Sequence, residues 1–81
     1  MNDIQIKAQA EITRSQLFAA QAVEARLLAE RDSHREIIFP AEQLAQQNDP
    51  RVANNIIIQN QLFSSRRLAL QHEIAGLDES I

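Results

Sequence analysis

The chain has 81 residues with no Cys, no Trp, no Tyr, one Gly and two Pro, and its formal net charge is -3. The lack of Cys excludes disulfides, thiolate metal sites and a cysteine nucleophile. Eight Lys and Arg are scattered among eleven Asp and Glu, so no basic stripe indicates nucleic-acid binding, and no apolar run is long enough to cross a membrane. Ala, Gln, Leu, Glu and Arg are abundant, which predicts an all-α protein.

The first predicted element is a long amphipathic helix over about residues 4–32. Neither Gly nor Pro interrupts this segment, and an apolar stripe recurs at alternating spacings of four and three residues, with one position skipped at Glu24, which is the pattern of a coiled-coil seam. Several members are small, so we expect the helix to depend on a partner helix. Leu17 and Leu27 are its large packing residues, and the whole stripe consists of Ile6, Ala10, Thr13, Leu17, Ala20 and Leu27.

A Pro-containing joint is predicted next. Pro40 forces Phe39 toward extended backbone, so the first helix must end before it. We expect a short helical turn over residues 41–47 with Pro40 at its first position. The apolar cluster around Phe39 is either an exposed docking peptide or a cap folded over the helix pair, and the cap is the favoured interpretation. Asp49 and Pro50 then have the residue types of the N-cap and the first position of a second helix.

The second long helix is predicted over residues 50–79. Its seam contains large apolar side chains, which are Ile56, Phe63, Leu70, Ile74 and Leu77. Periodicity does not decide whether the two helices fold back on each other or run in the same direction. The antiparallel hairpin is favoured because it buries both stripes within one chain, and self-association of copies would also bury them.

The sequence contains no arrangement typical of a catalytic or cofactor site. His34 and His72 each lack the further ligands that zinc requires, and one Gly does not build a phosphate-binding loop. We therefore predict a non-enzymatic chain without catalytic residues, cofactor or metal. The pair Arg66 and Arg67 has two interpretations: contact with an anionic partner, or pairing with Glu73 or a neighbouring helix, which is favoured.

Four motifs occur in a specific order along the chain. They are "EARLLAERD" at Glu24–Asp32, "IIFPAEQLA" at Ile37–Ala45, "DPRVA" at Asp49–Ala53 and "QNQLFSSRRLALQHEIAGLDESI" at Gln59–Ile81. This order resembles the helical segment of HlyD-family membrane fusion proteins, the periplasmic adaptors of Gram-negative type I secretion systems. The likeness is greatest to the branch that exports metalloproteases, lipases and haem-binding proteins.

The resemblance implies a function that the residues alone do not show. Residues 1–81 would be one helical, coiled-coil segment of a larger adaptor that links an inner-membrane ABC transporter to a TolC-type outer-membrane channel for protein export. Such an adaptor is anchored in the inner membrane, extends through the periplasm and assembles as a ring, in which Arg66 and Arg67 could contact a neighbouring protomer. The alternative is a freestanding helical-hairpin interaction protein such as a secretion chaperone. The exported substrate and the cognate transporter are not identified by the resemblance.

Overall fold

The structure is a computed structural model that describes the backbone of residues 2–79 and the side chains of residues 3–76. Its helices are α1 (Asn2–Arg31), α2 (Ala41–Ala45) and α3 (Pro50–Glu79), and the described backbone contains no strand. The all-α class is confirmed, as are the two long helices with a short helix between them. The predicted bounds agree with the observed bounds within two residues for α1 and coincide for α3.

A Schellman turn ends α1 at Arg31, well before the first proline. The backbone N–H of His34 donates to the carbonyl of Ala29 over 2.9 Å, and the N–H of Ser33 donates to Glu30 over 3.3 Å. Ser33 adopts a left-handed conformation with a φ of 55°, at the position where glycine is the usual residue. These bonds satisfy carbonyls that the last helical turn leaves open, and they turn the chain sharply away from α1.

The joint contains the N-termini of two helices, α2 and α3, and each has a defined N-cap residue. Pro40, with φ -57° and ψ 143°, occupies the N-cap of α2, so its predicted place at the first helical position is corrected by one residue. Its carbonyl accepts a bond from the N–H of Leu44 over 3.1 Å. At α3, Oδ1 of Asp49 accepts a bond from the N–H of Arg51 over 3.0 Å, which makes Asp49 the N-cap and Pro50 the first residue.

The two long helices run in the same direction. The side chain of Arg26 binds Gln59, and four residues further along α1 Glu30 binds Arg66, so the contact also advances along α3. In an antiparallel pair it would move backward. The molecule measures 69 × 19 × 19 Å, and because each 30-residue helix is about 45 Å long, the helices overlap over only about 20 Å. The antiparallel order that we favoured for these two helices is therefore replaced by a parallel, staggered one.

The core lies within this overlap and uses an unexpected face of α1. Its main cluster is formed by buried apolar residues of α1, the connecting chain and α3, namely Ala22, Ala25, Ala29, Ile37, Phe39 and Phe63, with Ile56 packed against it. Phe18 and Val52 are also buried. Leu17 and Leu27 are 55% and 50% exposed, so their predicted role is wrong for packing between α1 and α3. The face of α1 that carries Ala22, Ala25 and Ala29 packs on α3 instead. The small side chains of this alanine face let Phe63 come close to the backbone of α1.

Candidate functional site: the joint between the long helices

The joint is the segment in which the end of α1 overlaps the start of α3, closed by the chain between them. Ile37 and Phe39 are each 8% exposed and belong to the same apolar cluster as Phe63, whereas Ile38 between them is 73% exposed. This alternation is typical of an extended segment in which every second side chain points toward the helices. The cluster around Phe39 is thus a cap on the helix pair and not a free docking peptide.

A fully buried amide fastens α2 to α1. Gln43 has no exposed surface, and its Nε2 donates to the backbone carbonyl of Phe18 over 2.9 Å. The Oε1 atoms of Gln43 and Gln21 are buried with no hydrogen-bond partner among the described residues. Because a buried amide is costly unless it is bonded, the donated bond favours this position of α2 along α1 over positions that are shifted by a residue.

A charged network lies at the middle and far end of the overlap. Arg26 is buried, donating from Nε to Oε1 of Gln59 over 2.7 Å and from Nη1 to Glu30 over 2.8 Å. Arg66 reaches the same Oε1 of Glu30 over 3.0 Å. The Arg26 side chain is 10% exposed and that of Arg66 is 62% exposed, so solvent screens the contact of Arg66 far more strongly.

Two further polar contacts hold the ends of the joint. Nη1 of Arg67 donates to the backbone carbonyl of Arg35 over 3.1 Å, which ties α3 to the chain that leaves α1. At the opposite end, the pKa of Asp49 is lowered, first by the backbone N–H of Arg51 and then by its side chain, with a smaller contribution from the positive charge of Arg14. Asp49 therefore caps α3 in its charged form, close to the part of α1 that carries Arg14.

These polar contacts hold the joint together at three places along the overlap. Gln43 at one end of the overlap and Arg67 at the other bind backbone carbonyls, and Arg26 bridges the helices between them. The result is a rod that is longer than either helix, without a continuous helix through it. The described residues contain no group of three or more His, Asp or Glu that could hold a metal ion. Within the same part of the chain, no helix is long and apolar enough to cross a membrane.

The predicted joint residues all lie here, and so do residues that sequence reasoning missed. Phe39 is in the core, Pro40 and Asp49 occupy the caps of α2 and α3, and Pro50 begins α3. The residues missed are Phe18, Ala22, Ala25, Arg26, Ala29 and Gln43. Phe18 and the three alanines follow spacings of four, three and four residues, which could have indicated this buried face from the sequence. Nothing in the sequence indicated that Arg26 and Gln43 would be buried.

The predicted seam of α3 has the right orientation, but α1 is too short to cover all of it. Ile56 and Phe63 contact the core. Leu70 follows Phe63 at heptad spacing, and Ile74 lies one helical turn further on the same side of α3. They are 56% and 52% exposed because α1 has already ended at Arg31. The side chain of Leu77 lies outside the described residues. Arg66 pairs with Glu30 of the neighbouring helix α1, whereas Arg67 donates to the backbone carbonyl of Arg35 and not to an acid.

Fold and joint together define an elongated helical rod built from staggered parallel helices. Residues 6–81 match the family described as AprE, long alpha-helical hairpin. The chain belongs to this family, and the predicted helical hairpin is thereby confirmed as the family architecture. Within this family architecture, the helices α1 and α3 of the chain run parallel to each other.

A solved structure is also similar over nearly the whole chain. It is the soluble domain of LipC, a membrane fusion protein of a type I secretion system, with 44% identity and a TM-score of 0.95. The match covers 99% of this chain and 30% of that chain. The comparison with curated proteins gave no match. The resemblance to membrane fusion proteins that the ordered motifs indicated is confirmed.

Proposed function

We propose that the chain is a structural, non-enzymatic segment of a type I secretion adaptor. The similarity to LipC supports this most directly, since 44% identity with a TM-score of 0.95 extends over 99% of the chain. Because the match covers 30% of LipC, we propose that residues 1–81 are one helical segment of a larger adaptor. The adaptor joins an inner-membrane ABC transporter to a TolC-type outer-membrane channel and exports protein through the assembly.

The shape of the chain suits a spacer in the periplasm. A rod 69 Å long covers distance with little mass, and polar contacts to backbone carbonyls hold the joint together at both ends. Self-association into a ring would bring the exposed faces of the rod against other helices. Arg66 is mostly exposed beyond its bond to Glu30, so it could also contact a neighbouring protomer in such a ring.

Export is tested in the organism that carries the gene. We would compare the proteins in the culture medium of the parent strain, a Phe63→Asp strain and an Asn54→Asp control strain by quantitative mass spectrometry. Phe63 is buried in the joint, whereas Asn54 is exposed on α3. Phe63→Asp should remove a defined set of proteins from the medium and retain them in the cells, and Asn54→Asp should leave export intact. An unchanged medium for Phe63→Asp would contradict the export function.

The compartment separates an adaptor from a secretion chaperone. The 81 residues contain no Cys, so Asn54→Cys introduces a single thiol on the exposed side of α3. A maleimide that does not cross membranes should label this thiol in spheroplasts, as expected for the periplasm. Labelling only after the inner membrane is dissolved would instead favour the freestanding chaperone in the cytoplasm.

A further inference from the structure

The apolar contacts between α1 and α3 do not by themselves determine how far the two helices overlap. On α3, Ile56, Phe63 and Leu70 recur at heptad spacing, so a shift of one heptad would again place a large apolar side chain at each contact. The facing residues of α1 in the cluster are alanines, whose small side chains do not distinguish among these three. We call the alignment in the structure the observed register, and the alignment in which α3 lies one heptad closer to the start of α1 the shifted register.

The shifted register would bury more apolar surface than the observed one. Leu70, which is 56% exposed, would take the place of Phe63, which is 6% exposed. A heptad is about 10 Å long, so the overlap of the helices would grow from about 20 Å to about 30 Å. The chain between the helices, residues 32–49, would reach about 60 Å when extended, so its length permits the shift. Because burial of apolar surface stabilises a helix pair, another interaction must favour the observed register.

Charged side chains on one flank of the overlap oppose the shifted register. In the observed register, Arg26 donates to Gln59 over 2.7 Å, and Arg66 contacts Glu30 over 3.0 Å. On α3, Gln59, Arg66 and Glu73 lie at successive heptad positions. The shift would therefore bring Arg66 opposite Arg26, and it would bring Glu73 opposite Glu30. Both pairs have like charges, and the side chain of Arg26 is only 10% exposed, so solvent screens the repulsion weakly.

The opposite shift, in which the overlap shrinks by one heptad, would break contacts of the joint. Arg26 would then face Val52 in place of Gln59, and its buried guanidinium would lose a hydrogen bond. The overlap would also fall to about 10 Å. We propose that the charges of Arg66 and Glu73 select the observed register over the shifted one and thereby set the length of the rod. The proposal concerns the joint alone and holds whether or not the chain serves export.

An exchange of the two charges tests the proposal. Arg66→Glu together with Glu73→Arg keeps the net charge, but it pairs opposite charges in the shifted register and places two carboxylates together at Glu30 in the observed one. Spin labels at Lys7→Cys and His72→Cys report the register, since the chain has no Cys of its own. Pulsed electron paramagnetic resonance should give about 45 Å with the original charges and about 35 Å after the exchange.

The matched control exchanges two charges on the opposite side of α1. Glu24 and Arg31 are exposed, lie one heptad apart and point away from Arg26 around the helix. Glu24→Arg together with Arg31→Glu should therefore leave the distance near 45 Å, and a shortened distance in this control would overturn the proposal.

A milder variant keeps the test decisive if the exchanged chain does not fold, which circular dichroism shows. Arg66→Gln together with Glu73→Gln removes both repulsions of the shifted register and should add a second distance near 35 Å to the one near 45 Å. A distance that stays only near 45 Å in either folded variant would overturn the proposal and assign the choice of register to the connecting chain.

Discussion

Phe63 and Leu70 lie seven residues apart on the same face of α3, and the joint predicts that they contribute very differently to stability. Phe63 is 6% exposed in the apolar cluster, whereas Leu70 is 56% exposed beyond the end of α1. Phe→Ala in a core costs about 3–5 kcal/mol. We expect about 3 kcal/mol for Phe63→Ala because this thin core has solvent nearby into which its neighbours can relax. For Leu70→Ala we expect less than about 1 kcal/mol, since roughly half of the side chain is already in water.

Urea unfolding of the 81-residue chain, followed by far-ultraviolet circular dichroism, measures both free energies of unfolding. Light scattering at each protein concentration identifies the range in which the chain is monomeric, because an oligomer could bury Leu70. If Phe63→Ala abolishes folding, Phe63→Leu provides a milder variant with an expected cost of about 1 kcal/mol. Equal losses for Phe63→Ala and Leu70→Ala in the monomer would refute the position at which α1 ends relative to α3.

Three other perturbations examine the caps and the polar network by the same unfolding measurement. Ser33→Gly should stabilise the chain by about 0.5–1 kcal/mol because glycine relieves the left-handed strain at the end of α1, and a loss would argue against the Schellman turn. Arg26→Ala should cost about 1–3 kcal/mol and Arg66→Ala less than about 1 kcal/mol, and the reverse ranking would contradict the burial of Arg26. Asp49 has a lowered pKa, so its stabilising contribution is complete above the ordinary Asp pKa of about 3.9 and is lost as the pH falls through the lower folded value. Asp49→Asn should remove this loss of unfolding free energy at low pH. An unchanged dependence of the unfolding free energy on pH would contradict the assigned role of Asp49.

The phase of α3 could be predicted from the sequence because large side chains mark it. Ile56 and Phe63 repeat at heptad spacing, and Asp49 followed by Pro50 fixes the start of the helix. The phase of α1 toward α3 could not be predicted in the same way. Its contact face is built mainly from alanines, which weigh little in a hydrophobic pattern. The more apolar stripe that contains Ile6, Leu17 and Leu27 suggested a different contact face.

The polar parts of the joint were beyond sequence reasoning for a different reason. Arg26 and Gln43 are buried, but their residue types are usually exposed, and only tertiary packing supplies the partners that make burial tolerable. Ser33 gave no sign of a left-handed turn, because glycine is the residue that normally marks one. The order of motifs did identify the family, since four weak matches at consistent spacing are together specific.

The relative direction of α1 and α3 is the central claim, and a distance between two spin labels tests it most directly. Lys7 and His72 are exposed, and the chain has no Cys, so Lys7→Cys and His72→Cys provide two unique labelling sites. With the observed stagger, the rise of 1.5 Å per residue gives a separation of about 45 Å. Pulsed electron paramagnetic resonance would measure it, with labelled protein diluted into unlabelled protein to suppress distances between molecules. A main distance near 45 Å is expected, whereas about 10–15 Å, as in an antiparallel pair of adjacent helices, would contradict the parallel joint.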